Sequence, residues 1–279
     1  MPSIIRSYDN KNLPIIEPGR TLLPKTYFNI LRLKRGGHFE NSLAGFESVY
    51  VVLSGQADIT VDGKTFDAVG KRKDIWSGNA DSVYAPTGAA VRVTCISEQT
   101  EIAVAGGHCE KIFKPFRIPP EEEIMVEVGS AATHTRRRIF HILGKNAEGR
   151  NGNLLVSELF ADAGCWSGYP PHKHDEDSGT EETGFEEAYY YRFKPENGFG
   201  IQTVFQPDGK QDLYMTKNGD TVIIDKGYHP TVTSPGHEEY IFTILVGRTT
   251  RSLVQNFKEE YRYLTKVFPG VKDMVDNFK

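Results

Sequence analysis

Apolar and polar residues alternate along most of this chain in short runs, broken by Gly, Pro, Asn and Asp. A period of two puts every second side chain on one face of an extended segment, so such runs read as half-buried β-strands. In the first half they are Tyr27–Leu33, Ser48–Leu53, Gln56–Val61, Ser82–Tyr84, Val91–Thr94 and Glu101–Ala105. Asp62-Gly63 between Val61 and Lys64 is the signature of a two-residue hairpin turn. The second half continues with Arg137–Leu143, Leu154–Phe160, Ala188–Phe193, Gly200–Phe205, Leu213–Thr216, Thr221–Asp225 and Tyr240–Val246. Helical spacing appears only in the tail, where Leu253, Phe257, Tyr261 and Leu264 recur and predict a short C-terminal helix. Many short strands at regular spacing predict an all-β sandwich or barrel.

The two halves share a style that points to an internal duplication. Glu47 opens an apolar strand that ends at Ser54-Gly55, and Gly88 precedes Val91. Correspondingly, Glu187 opens Ala188-Tyr189-Tyr190-Tyr191-Arg192, and Gly227 precedes His229. The halves differ where chemistry would sit. Val91 falls near the place taken by His229, and His38-Phe39-Glu40 falls where His172-Lys173-His174 lies. Pro119-Pro120-Glu121-Glu122-Glu123 reads as a linker. We therefore expect a first domain over residues 1–120, degenerate and metal-free, and a second over 121–279 that carries the site. The length of 279 residues suits two such domains.

Charge is nearly balanced at −4, and the basic run Arg136-Arg137-Arg138 is too small for a nucleic-acid footprint. Neither a signal-peptide core nor a run of transmembrane length occurs, so no nucleic acid or membrane partner is expected. The three cysteines, Cys95, Cys109 and Cys165, form no Cys-x-x-Cys pair and read as reduced thiols of a cytoplasmic protein.

Chemistry concentrates in the second half. His172 and His174, one residue apart on an extended segment, point the same way. With His229 beside a turn and Glu187 at the head of a strand, they make a donor set for one divalent transition metal. Zinc, manganese, iron and nickel all suit it, and ligand type alone does not choose between them; zinc is the expected ion. The bland alternative is a pair of exposed loop histidines. Alternation places Glu187, Tyr189 and Tyr191 on one face, so either tyrosine, or the carboxylate of Glu186, is a candidate proton shuttle; the alternative is barrel core. Arg137, Arg192, Lys173 and Arg248 are candidate partners for an anionic substrate, and Gln202 a candidate partner for a hydroxyl. His134, His141 and His237 lack partner spacing and are read as structural or surface.

At these residues the chain resembles the cupin superfamily, and within it the two-cupin family of 5-deoxy-glucuronate isomerase, IolB. The resemblance is carried by Tyr169-Pro170-Pro171-His172-Lys173-His174-Asp175 and Glu186-Glu187-Ala188-Tyr189-Tyr190-Tyr191-Arg192-Phe193. Gly198-Phe199-Gly200-Ile201-Gln202, Gly219-Asp220-Thr221-Val222 and Lys226-Gly227-Tyr228-His229-Pro230 add to it. The first half matches more loosely, through Leu53-Ser54-Gly55, Val61-Asp62-Gly63 and Ala85-Pro86-Thr87-Gly88. The resemblance implies two cupin jelly-roll domains and metal ligands at His172, His174, Glu187 and His229. The generic cupin leaves about three or four residues between the second His and the Glu, whereas residues 175–186 intervene here. Glu187 is chosen because it directly precedes the Ala-Tyr-Tyr-Tyr strand. Asp225 stands where the generic motif has Pro.

The activity implied is a metal-dependent aldose–ketose isomerisation of 5-deoxy-D-glucuronate to 2-deoxy-5-keto-D-gluconate in myo-inositol catabolism, by a homo-oligomer. Two other enzymes share the scaffold: a 5-keto-4-deoxyuronate isomerase of pectin degradation, and a metal-dependent dioxygenase. A sugar-binding regulator is a third class, and the absence of a helix-turn-helix segment or basic helix counts against it.

Overall fold

A computed structural model describes residues 3–278. The strands expected from alternation form, each within a few residues of its expected limits. Arg137–Leu143 is reproduced residue for residue, and Phe185–Lys194 and Glu238–Gly247 extend the shorter expected runs. The Asp62-Gly63 turn joins Ala57–Val61 to Lys64–Val69 with both residues at positive φ, 46° and 81°, as the right-handed twist of the paired strands requires.

The chain divides into two compact units. One comprises residues 9–124 with 146–154. Its five-stranded sheet runs in the order Phe116–Ile118, Asp81–Ala85, Phe46–Ser54, Gln99–His108, Thr26–Lys34. A four-stranded sheet runs His38–Ser42, Ala90–Cys95, Ala57–Val61, Lys64–Val69. Leu31, Tyr50 and Val52 from the first sheet share one buried cluster with Ile59, Val61 and Val93 from the second. Each fully buried aliphatic side chain of this kind contributes about 1.5–3 kcal/mol.

The other unit comprises residues 1–8, 125–145 and 155–279. Its seven-stranded sheet runs Ser3–Ile5, Thr221–Ile224, Phe185–Lys194, Glu238–Gly247, Leu154–Ala161, Arg137–Leu143, Ile124–Val128. A four-stranded sheet runs Trp166–Ser167, Thr231–Thr233, Phe199–Phe205, Gln211–Lys217, and His172–Lys173 pairs with Asn256–Phe257. The sequence suggested domains over 1–120 and 121–279, with one cut between them. Instead the N-terminal strand adds to Thr221–Ile224, fastened by Arg6 and the Ser7 amide on Asp220. Alternation identifies a strand but not the edge it joins.

The tail differs from its periodicity. Phe257 lies in a strand, Glu259–Lys266 is a 3₁₀ helix, and the α-helix begins only at Val271 and runs to Phe278. The i, i+4 spacing of Phe257 and Tyr261 was outweighed by pairing of Phe257 with His172. The three cysteines are unpaired and buried. Among the described residues no helix is long and apolar enough to cross a membrane.

One core group is out of place for a packed interior. Glu239 is fully buried, and neither carboxyl oxygen has a hydrogen-bond partner among the described residues. Burial pushes its pKa up to about 8 from 4.5. A carboxyl that holds its proton more tightly when folded contributes stability that is complete below about pH 4.5 and is lost as pH rises toward 8. Glu239→Gln should therefore gain stability relative to the parent across that window, by at most about 1.4 kcal/mol per pH unit. Chemical denaturation of both proteins at several pH values tests this. A stability difference that stays flat with pH would show that Glu239 is already ionised in the fold.

Candidate metal centre and its cavity

The strand Phe185–Lys194 positions the carboxylate. Glu187, Tyr189, Tyr191 and Phe193 share its inner face, opposite Leu245, Thr243, Ile241 and Glu239 of the neighbouring strand. His172 and His174 flank Lys173 on the short strand paired with Asn256–Phe257. His229 follows the turn at Gly227, whose φ is +95° and where a side chain would press on Val204 and the Phe205 carbonyl.

These elements bring three buried imidazoles together, with His172, His174 and His229 offering ring nitrogens within 4.8 Å of one another. Glu187 Oε2 lies 2.9 Å from His229 Nε2 and 3.1 Å from His174 Nε2. Tautomers follow from the outer partners. His172 Nδ1 faces the Pro170 carbonyl at 3.0 Å and His229 Nδ1 faces the Gly227 carbonyl at 2.7 Å. A carbonyl only accepts, so each Nδ1 carries the proton and each Nε2 turns a lone pair inward. Glu187 Oε2 and His229 Nε2 are buried without a properly oriented hydrogen bond, as is His174 Nδ1. Converging imidazole and carboxylate donors are what a divalent cation satisfies, and the triad could hold one.

Electrostatics make His172 the readiest donor, whereas at His229 burial is outweighed by the Glu187 charge, which raises that pKa above 6.5, so a cation binding there competes with a proton. Burial, followed by the His229 and His174 charges, pushes the His172 pKa down to about 3, so it is a neutral donor at ordinary pH. Burial opposes ionisation of Glu187, yet His229 and His174 override it and hold the carboxyl below its usual range.

Lys173, on the other side of its strand from the two histidines, does not line the cavity beside them. Its Nζ is buried against Asp175 Oδ1 at 2.6 Å and Glu182 at 2.9 Å. Glu182 also accepts the amides of Asp175 and Glu176, and Asp175 Oδ2 accepts the Gly227 amide at 2.5 Å. The inserted acidic residues between His174 and Glu187 thus form an ion-paired clasp tying the His-x-His strand to the His229 turn. Asp175→Asn should lower metal affinity by about 10–100-fold, the usual effect of loosening the groups around a metal's ligands. Competition with a fluorescent chelator reads this, and an unchanged affinity would show that the clasp does not fix the ligands.

Beside the histidine cluster is a cavity of about 50 Å³ lined by Arg137, Ser157, Tyr189, Thr243, Gln255, His172, His174 and Glu187, among others. Two residues singled out from sequence, Arg137 and Tyr189, do reach it. Arg137 is wholly buried, donates to the Thr135 and Tyr169 carbonyls, and has its pKa lowered to about 10 by burial. The Tyr189 pKa is raised well above 10 by burial and then by the Glu187 charge, so its phenol keeps its proton.

Others do not. Tyr191 is fully buried one step deeper, and its hydroxyl donates to Gln202 Oε1 at 2.6 Å. Gln202 spends its amide on the carbonyls of Thr203, His229 and Pro230, so it braces the His229 turn. Glu186 and Arg192 lie on the opposite face of the strand, with Arg192 Nε on the Tyr190 hydroxyl at 2.7 Å. Arg248 donates to the carbonyls of Asp175 and Asp225. His134, His141 and His237 lie outside the cavity lining. Ser157, Thr243 and Gln255 escaped the sequence reading. For the first two the available signal was a lone hydroxyl on the inner face of an otherwise apolar strand.

In the first unit Glu47 occupies the corresponding strand-opening position. Its carboxylate accepts from the Tyr84 hydroxyl at 2.7 Å and from the amides of Gly152 and Leu154. His38 and Glu40 are exposed, and Glu40 pairs with Arg92.

The architecture and the buried histidine cluster define an all-β protein of cupin-like fold whose interior could hold a metal. An oxalate decarboxylase from Bacillus subtilis shares this fold at a TM-score of 0.59 and 14% identity, over 91% of this chain and 77% of that one. The sequence model of the KduI/IolB family matches residues 6–264, and the chain belongs to that family. A 5-deoxy-glucuronate isomerase of Geobacillus kaustophilus is 34% identical over 222 residues, 79% of each chain. An IolB-like protein from Salmonella typhimurium LT2 superposes with a TM-score of 0.81 at 28% identity, covering 86% of this chain and 90% of its own.

Proposed function

We propose that the chain is a 5-deoxy-glucuronate isomerase, an aldose–ketose isomerase that forms 2-deoxy-5-keto-D-gluconate in myo-inositol catabolism. The observation that carries this is the convergence of His172, His174, His229 and Glu187 beside a cavity, in a chain related over most of its length to enzymes of that name. Those four residues hold one divalent metal, zinc foremost, which when bound supplies a Lewis acid for adjacent carbonyl and hydroxyl oxygens. Arg137 keeps a fixed positive charge at the cavity wall, suited to a substrate oxygen that gains negative charge. Tyr189, held protonated, donates a hydrogen bond to that oxygen as charge develops on it. Ser157 and Thr243 orient hydroxyls of the sugar. The enzyme acts in the cytoplasm as a homo-oligomer, with the metal confined to the unit that carries the histidines.

Purified protein given 5-deoxy-D-glucuronate should show the ketose by NMR, stop after chelation and resume on adding metal. Turnover of 5-keto-4-deoxyuronate in its place would assign the chain to the other activity in the family's name. A requirement for O₂ would point to the dioxygenase.

A further inference from the structure

The cavity beside the ligands is too small for the whole substrate. Sites for small molecules ordinarily span about 300–1,000 Å³, and this one holds about 50 Å³. It accommodates the reacting end of a sugar and little more. A second recess of about 510 Å³ adjoins it, lined by Gln255, Asn256, Phe257, Arg262, Lys266 and Lys272 among others. Gln255 lines both spaces, and the final helix lends Met274 to the inner one and Val271 to the outer. Phe257 closes the seam, its ring 5.6 Å from that of His172. At the junction Gln255 Oε1 is buried without a hydrogen-bond partner among the described residues. An acceptor left unpaired at a passage calls for a donor on whatever enters.

Charge in the outer recess is one-sided. Arg262, Lys266 and Lys272 face a single carboxylate, Glu181, in its lining. All three cations are exposed, and Arg262 touches Glu259 at 3.0 Å on the surface. We propose that this recess is the binding site for the carboxylate end of the substrate: Arg262, Lys266 and Lys272 attract and hold the carboxylate while Gln255 accepts from a hydroxyl at the passage. The proposal rests on the isomerase reading, because in a uronate aldehyde the carboxylate is the end farthest from the reacting carbons. It gives Arg137 the reacting end and the tail the anionic end.

The test is an Arg262→Gln, Lys266→Gln protein loaded with metal, with the parent as reference. Both positions are on the surface, so folding is not at risk. We expect KM for 5-deoxy-D-glucuronate to rise about tenfold or more, the value of a charge-assisted hydrogen bond, with kcat within a few-fold and metal content unchanged. The salt dependence of kcat/KM expected of the parent should flatten in the variant. Calorimetry with D-glucuronate should show the same loss of affinity, while D-glucose, which lacks the carboxylate, should behave alike with parent and variant. Gln255→Met should raise KM with the charges intact. Unchanged KM and unchanged D-glucuronate affinity in the double variant would overturn the proposal. If the parent binds D-glucuronate through these cations yet does not turn over 5-deoxy-D-glucuronate, the isomerase reading fails and the anion site stands.

Discussion

A His172→Ala protein should emerge from dialysis without stoichiometric metal and without measurable turnover. The His172 ring is a neutral imidazole at any working pH, with Nδ1–H fixed on the Pro170 carbonyl and Nε2 free to donate its lone pair. Its removal leaves a three-donor set and opens a gap beside Phe257. The loss in metal affinity should exceed the roughly 10–100-fold that outer partners of ligands command. Metal analysis after dialysis and thermal denaturation of the same sample separate the two ways the variant can fail. A folded protein that keeps its full metal complement would remove His172 from the ligand set. His237→Ala is the control, because that imidazole lies against Ser234, outside the cavity lining, and metal content should not change.

Replacing Tyr189 by phenylalanine should lower kcat by about 100-fold or more, the range for a lost hydrogen-bond donor to a developing oxyanion, with metal content retained. The ring stays, so packing against Tyr191 and His229 survives. Because burial and Glu187 keep the phenol protonated, Tyr189 should contribute no alkaline limb to the pH profile at ordinary pH. Tyr191→Phe should behave oppositely. Its hydroxyl satisfies Gln202 Oε1 inside the core, so its loss should cost about 1–3 kcal/mol of stability and leave kcat within a few-fold. Denaturant unfolding and steady-state kinetics on both variants test the assignment. A large kcat loss in Tyr191→Phe with normal turnover in Tyr189→Phe would reverse it.

That contrast shows where reading the chain stops. Alternation placed Glu187, Tyr189 and Tyr191 on one face, and the structure has them there. It carries no information on depth. The cavity reaches Leu245 and Thr243, which oppose Glu187 and Tyr189, and ends before Ile241, which opposes Tyr191. Depth is set by which strands close over the sheet, a long-range property.

Local chemistry was otherwise legible. Asp62-Gly63 dictated its turn because few other pairs accept positive φ twice. His172-Lys173-His174 dictated two imidazoles on one side and the lysine on the other, since the period of a strand is two. Whether Lys173 met a substrate or a carboxylate depended on Glu182 and Asp175 folding back around it. Gln202 likewise became a brace only because the His229 turn lies over it. The tail is the clearest case. Its spacing suggested a helix, yet pairing with the His172 strand drew Phe257 into a sheet and set Gln255 at the mouth of the metal cavity. Sequence patterns thus determined the strands, the turns and the donor types, because these follow from backbone geometry over a few residues. Tertiary structure alone decided which donors face one another, because that depends on contacts between segments far apart in the chain.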